Sequence, residues 1–157
     1  MHTILTAILI GIFTMTAGAA PVTVERTEGN LILTASVAKR TFAPGEPVGI
    51  QFTVRNAATG ALGVMFTSGQ RFDFVVRRSR GDEVWRWSHD KAFIQIIQTA
   101  TLRPQEVLSF SETWDQRDFQ GRRVDPGTYD LIAVFMGRLN DKTSIALPPI
   151  GITIAGK

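Results

Sequence analysis

Three adjacent residues carry the functional groups of a hydrolase: Ser88, His89 and Asp90 supply a hydroxyl, an imidazole and a carboxylate. A catalytic triad brings these groups together from different parts of a fold. Neighbouring residues cannot form that chain of hydrogen bonds. The chain has only two histidines and no cysteine, which excludes thiol catalysis and thiolate metal sites. The sequence therefore predicts that the protein is not an enzyme.

One stretch is rich in carboxylates, which are the hard oxygen ligands that calcium prefers. They belong to Asp115, Asp118, Asp125 and Asp130. Their spacing matches no calcium-loop pattern, and the stretch also contains Arg117, Arg122 and Arg123. We therefore expect ion pairs on solvated loops here. The sequence predicts neither a bound metal nor a cofactor.

Two of the three tryptophans, Trp85 and Trp87, flank Arg86 in the stretch VWRWSHDKAF. If residues 83–88 form a strand, both indoles lie on the same face of it. We expect Trp85 and Phe93 to belong to the core. For Trp87 three interpretations stay open: a core ring, a ring that faces a partner protein, or part of a carbohydrate platform.

The elements that must position these residues follow a period of two, which is typical of half-buried strands. Clear examples are the runs that begin at Leu31, Val48, Leu62, Phe72 and Val107. Turn residues rich in Gly, Pro, Asn and Asp separate the runs, which predicts an all-β sandwich or barrel in one domain. The stretch TYDLIAVFMGR is apolar on both faces and predicts a central strand. Residues 90–100 fit either a short helix or an irregular crossover.

The N-terminal segment predicts a cleavable signal peptide over residues 1–20, followed by one domain over residues 21–157. An apolar run reaches from Ile4 to Met15, and small residues follow it. We therefore expect a secreted or periplasmic protein with no membrane contact after cleavage. The formal charge of +3 comes from arginines interspersed with acids, so we expect no nucleic-acid partner. We also expect a monomer.

Five stretches resemble the BsuPI family in order and spacing. They are FTVRN (52–56), MFTSGQRFDFVV (65–76), GDEVWRWSHDKAF (81–93), LRPQEVLSFSETWD (102–115) and VDPGTYDLIA (124–133). These bacterial domains are named for an intracellular inhibitor of subtilisin-type serine proteases. The resemblance implies a single immunoglobulin-like β-sandwich of about seven to nine antiparallel strands, and inhibition of a serine protease by protein binding. Where the family commonly has Pro-Gly, this chain has Pro104 and Gln105.

An inhibitor of this type presents an exposed segment to a protease cleft, and the loop before the anchored Phe72 has the turn residues for such a segment. The candidate contacts are Thr67, Ser68, Gly69, Gln70, Arg71 and Trp87. The alternative for this region is that Gln70 and Asp73 stabilise the fold, with Asp73 paired to Arg86. We expect purely structural roles for Phe72, Phe74, Trp85, Phe93, Trp114 and Tyr129.

Two functions from different classes fit these observations. The first is a non-enzymatic inhibitor of a subtilisin-type serine protease, exported in spite of the family's intracellular namesake. The second is a generic extracellular immunoglobulin-like module that binds an envelope protein or a polysaccharide.

Overall fold

The computed structural model describes residues 19–156, and all regular structure in that range is β-strand. The strands are β1 Val22–Glu28, β2 Leu31–Val37, β3 Thr41–Phe42, β4 Val48–Asn56, β5 Leu62–Phe66, β6 Phe72–Arg78, β7 Glu83–Arg86, β8 Gln98–Leu102, β9 Val107–Trp114, β10 Gly127–Phe135, β11 Ile145–Ala146 and β12 Ile150–Ile154. Within the described range, no helix is long and apolar enough to cross a bilayer.

The first sheet contains β1, β2, β4 and β9 in that order, and all its pairs are antiparallel. Its inner face is set by alternation, because successive side chains of a strand point to opposite faces. The fully buried positions of β2 and β4 are Leu31, Leu33, Ala35, Val37, Val48, Ile50, Phe52 and Val54. This face forms one half of the core.

The second sheet has the order β3, β12, β10, β6 and β7, and β11 adds to the far end of β10. Its pairs are antiparallel except β3 with β12, which run parallel. β10 lies between β12 and β6, and its inward residues Leu131, Ala133 and Phe135 are buried. The predicted central strand is therefore found where the apolar run placed it.

A third, two-stranded sheet of β5 and β8 closes one corner of the sandwich. It sends Val64, Phe66 and Leu102 into the core. The ring of Phe66 meets the ring of Phe135 edge to face, with their centroids 5.6 Å apart. This corner carries the loops that matter for the candidate site.

Aromatic contacts join the two large sheets across the core. Phe52 of the first sheet meets Phe74 of the second with ring centroids 6.2 Å apart, and Trp114 meets Tyr129 at 5.8 Å. Edge-to-face geometry of this kind adds about 1 kcal/mol per pair to the energy of burial. The molecule is thus held by packing, as a chain without cysteine requires.

The all-β, sandwich-like fold is confirmed, while its immunoglobulin-like detail stays a prediction. The described residues contain twelve strands, more than the predicted seven to nine. β3 and β11 have two residues each, which is too short for alternation to reveal. The sequence patterns also did not predict β1 and β8. Residues 87–97 form an irregular crossover between β7 and β8, so the helical alternative for this stretch is wrong. The predicted signal peptide falls almost wholly on residues 1–18, outside the described residues.

Candidate functional site

The carboxylate of Asp73 organises the start of the crossover. Asp73 lies on β6 with 3% exposure, although the alternation of that strand placed it on a solvent face. Its oxygens accept hydrogen bonds from Ser88 Oγ at 2.5 Å, from the Ser88 N–H at 3.1 Å and from Arg86 Nη1 at 3.0 Å. The Phe74 N–H donates at 2.9 Å. Asp73 therefore fixes the direction in which the chain leaves β7.

Arg86 links this carboxylate to a second one. Its guanidinium donates to both oxygens of Glu83, at 2.8 and 2.9 Å, and to Asp73. The hydrogen bonds to Glu83 raise the pKa of Arg86, and the bond to Asp73 adds to the rise although burial opposes it. The pairing of Asp73 with Arg86 is thus part of a network that supports the fold.

The side chain of Trp87 packs against other residues of the chain. Its ring stacks on Phe72 with centroids 4.3 Å apart, and Phe93 lies 5.9 Å away. The ammonium group of Lys91 lies over the indole at 4.9 Å from its centroid. Phe72 stacks in turn on Phe110 of the first sheet at 4.7 Å. The structure therefore gives Trp87 a bracing position, with Phe93 half-buried beside it.

The crossover leaves three large aliphatic side chains in solvent. Ile94 is 70% exposed, Ile96 is 43% exposed and Ile97 is 71% exposed. They belong to the stretch IQIIQ, in which no residue is charged. The sequence patterns did not predict this surface: in the helical alternative for residues 90–100, Ile96 and Ile97 fall at helical spacing, whereas the structure leaves both exposed. The available signal was three isoleucines among four consecutive uncharged residues.

The loop of residues 67–71 joins β5 to β6 and turns most of its polar groups inward. The Gln70 amide donates to the Phe72 carbonyl at 3.1 Å. Arg71 donates to the Ser68 carbonyl at 2.8 Å and to the side chain of Gln98, and its guanidinium lies 4.1 Å from the centroid of the Phe66 ring. Only Thr67 is exposed, and the other four residues are half-buried.

The loop and the crossover touch each other. The Gly69 N–H donates to the Ile94 carbonyl at 2.8 Å. A methyl group at position 69 would lie 3.1 Å from Ile94 Cγ2, which is closer than ordinary van der Waals contact. The structure thus brings the candidate residues 67–71 and Trp87 to one corner of the sandwich. We call the exposed residues 94–97 at this corner the isoleucine segment.

The adjacent hydrolase-like residues do not face one another. The Ser88 hydroxyl bonds to Asp73, whereas the His89 ring packs on Phe119 with centroids 4.5 Å apart. Asp90 accepts a hydrogen bond from Lys91, which lowers the pKa of Asp90. No nucleophile, base and orienting group converge among these residues.

Each carboxylate of the acidic stretch has an arginine close to it. The nearest nitrogen to oxygen distances are 3.4 Å for Asp115 with Arg117, 3.0 Å for Asp118 with Arg122, 3.3 Å for Asp130 with Arg77 and 3.9 Å for Asp125 with Arg78. Residues 19–156 contain no group of three or more potential metal ligands. Tyr129, within this stretch, donates from its hydroxyl to the Asp125 carbonyl at 2.6 Å.

The model of the BsuPI family, described as intracellular proteinase inhibitor, matches residues 35–140 of this chain. That range includes the loop 67–71, the Asp73 network and the isoleucine segment. A search of curated proteins found no match.

The family's description contradicts the predicted secreted or periplasmic location, which is therefore wrong. The physical weakness of that prediction lies before the apolar run. A signal peptide carries basic residues there, whereas this chain offers only the α-amino group and His2.

Several solved structures are similar to this chain at low identity. The β-glucosidase from Listeria innocua shares 12% identity over 80% of this chain and 16% of its own, with a TM-score of 0.46. The sporulation control protein Spo0M from Bacillus subtilis shares 14% identity over 83% of this chain and 51% of its own, with a TM-score of 0.47. The chain spans less than two thirds of either protein, and similarities this weak carry no argument about function.

Proposed function

The chain belongs to the BsuPI family of intracellular proteinase inhibitors, and on this premise we propose that it inhibits a serine protease of the subtilisin type. The inhibition is stoichiometric and non-enzymatic, and it operates by protein binding. The family match over residues 35–140 carries this proposal. The contacts described above support it, since they supply a rigid corner that a protease could bind.

The corner has the properties that a protease-binding surface needs. The loop 67–71 and the crossover are joined through Gly69 and Ile94. Behind them, the Asp73 network and the stack of Trp87, Phe72 and Phe110 fix the crossover to both large sheets. A surface held in its bound shape loses little conformational entropy on association, which favours tight binding.

A second candidate is a binding module for a protein other than a protease. The exposed isoleucines favour it, because contiguous apolar surface commonly marks a protein interface. A polysaccharide ligand is less well supported. Carbohydrate platforms expose a ring face, whereas the Trp87 ring contacts Phe72 and lies under the ammonium group of Lys91.

The test is a titration of the full chain into a fixed amount of subtilisin, with hydrolysis of a short chromogenic peptide as the readout. We expect activity to fall linearly to an end point near one inhibitor per enzyme. An unrelated folded protein at equal concentration controls for simple competition by a protein substrate. Mass spectrometry of the mixture shows whether the inhibitor stays intact.

Unchanged hydrolysis at large excess of intact, folded protein would overturn the assignment to subtilisin-type proteases. The same titration with a metalloprotease and a cysteine protease then decides between the two candidates. Inhibition of either one keeps a protease as the partner. Inhibition of none favours the binding module.

A further inference from the structure

We propose that the isoleucine segment, residues 94–97, is the part of the chain that enters the substrate cleft of the protease. The loop 67–71 then acts as its support and is not itself the reactive loop. This inference rests on the proposed function and deepens it, because it names the contacting residues and the chemistry of the subsites that receive them.

Exposure of apolar side chains singles out this segment. Five large apolar residues are exposed in the described range, and Ile94, Ile96 and Ile97 are three of them. A fourth, Met65, lies at the same corner, since it pairs in register with Thr99 of β8. Monomeric proteins rarely concentrate exposed aliphatic groups in this way unless the groups make contacts with a partner.

The main chain of the segment is available for pairing. Residues 91–97 belong to no strand, and between residues 92 and 97 the Ile94 carbonyl is the one main-chain group with a main-chain partner in the described structure. A segment outside the strands with free N–H and C=O groups can add to the edge of a neighbouring strand. Extended peptides are recognised in this mode, with main-chain hydrogen bonds for affinity and pockets for side chains.

Contacts at both ends of the segment restrict its conformation, although its side chains are exposed. On its N-terminal side Phe93 packs against Trp87, and Gly69 holds the Ile94 carbonyl. On its C-terminal side the chain enters β8, where Gln98 pairs in register with Phe66 and its side chain accepts from Arg71. Gly69 and Arg71 therefore hold the segment, while Gln70 bonds within the loop and to Phe72, so the loop leaves few polar groups to offer an enzyme.

The composition of the segment defines the subsites that fit it. No residue from Ala92 to Leu102 is charged, and the exposed side chains of residues 94–97 are aliphatic or amide. If isoleucine filled a specificity pocket that contains a charged residue, that charge would be buried without a partner, which is unfavourable. The target therefore has apolar subsites, and a protease whose specificity pocket selects lysine or arginine is not inhibited.

The experiment compares single charge insertions within the segment and outside it. Ile94→Asp, Ile96→Asp and Ile97→Asp are measured against Val107→Asp, which alters a residue that is 46% exposed on β9. The readout is the inhibition constant against subtilisin, with trypsin as the protease of basic specificity. We expect at least one segment variant to lose about tenfold or more in inhibition, as hot-spot residues do. Val107→Asp should match the wild type, and trypsin should retain full activity.

Each other outcome has a definite meaning. Wild-type inhibition that all three segment variants preserve would overturn the inference while leaving the proposed function intact. If the wild type inhibits none of the proteases, both fail together. A concentration-dependent dimer that Ile97→Asp abolishes, seen by sedimentation, would instead assign the segment to a second copy of the chain. Circular dichroism confirms folding, which replacement of exposed side chains should not disturb.

Discussion

The N–H of Gly69 donates to the carbonyl oxygen of Ile94 at 2.8 Å, and this bond joins the loop before β6 to the crossover after β7. The two residues lie 25 positions apart in sequence. An added Cβ at position 69 would approach Ile94 Cγ2 to 3.1 Å, so a side chain there requires Ile94 to shift. The glycine thus sets the distance between the loop and the isoleucine segment.

Gly69→Ala should weaken inhibition with little change in the free energy of unfolding. The added methyl group displaces Ile94 by a few tenths of an ångström. This shift changes the position of a preorganised binding surface, so it weakens inhibition more than it lowers stability. Inhibition constants and urea unfolding are measured together. Gly49→Ala is the control, since a Cβ there meets nothing within 4 Å. Equal inhibition by both variants would show that the Gly69 contact does not position the segment.

Asp73→Asn should destabilise the fold by about 2 kcal/mol, because a buried acceptor of four hydrogen bonds becomes an amide with one oxygen. Urea unfolding gives the change in free energy. Asp115→Asn is the matched control at an exposed ion pair and should change stability by less than about 0.5 kcal/mol. Similar changes in the free energy of unfolding at the two sites would mean that the burial of Asp73 does not contribute to stability.

Asn56→Asp should be among the most destabilising single substitutions, at about 3 kcal/mol or more. The Asn56 amide is fully buried at the end of β4 and donates to the carbonyl oxygens of Gly60, Leu102 and Arg103 at 2.9, 2.9 and 3.2 Å. A carboxylate would face those three oxygens without a proton to donate. Thermal unfolding measures the loss, and Asn140→Asp, the same change at an exposed turn, should leave the midpoint nearly unchanged.

Gln105→Gly should stabilise the protein by about 0.5 to 1 kcal/mol. Gln105 has a φ of 65°, in the left-handed region where a Cβ costs about 1 kcal/mol. The substitution also removes an exposed hydrogen bond from Arg55, which is worth little in water. Gln105→Ala loses the same bond but keeps the Cβ, so it should not stabilise. If alanine and glycine raise the urea midpoint equally, relief of backbone strain is not the cause.

The free energy of unfolding should decrease at alkaline pH because Tyr129 loses its proton there. Burial raises the pKa of its phenol above the usual value, so the folded state holds the proton more tightly than the unfolded state. This contribution is fully present below a pH of about 10 and is lost as the pH rises through the folded-state pKa. Tyr129 is the one tyrosine of the sequence, so phenolate absorbance reports on it alone. Tyr129→Phe should flatten the alkaline decline of stability, and an unchanged slope would contradict the prediction.

Much of the sandwich could be predicted because alternation reports directly on burial. The inward residues of β2 and β4 all lie in the core, and the doubly apolar β10 lies inside its sheet. Alternation could not place Asp73, since β6 is covered on both faces once Ser88 and Arg86 fold over the outer one. That cover depends on residues distant in sequence, which a local pattern does not contain.

The candidate site was harder to predict for a different reason. Sequence patterns assume that isoleucines are buried, and a binding surface departs from this rule. The sequence patterns therefore did not predict that Ile94, Ile96 and Ile97 lie in solvent. The loop 67–71 was found through its turn residues, but its bonding role through Gly69 and Arg71 becomes visible only when the crossover is placed beside it.

The position of β12 bears on how the protein is made. This strand, Ile150–Ile154, lies between β3 and β10 in the second sheet, although it is the last strand of the described domain. On the ribosome, β10 and β6 can pair early, but β3 has no neighbour until residue 154 has left the exit tunnel. Until then the nascent chain carries an open sheet edge, and such edges attract other chains. Chaperone protection during translation should matter more for this protein than for a domain whose last strand lies at an edge.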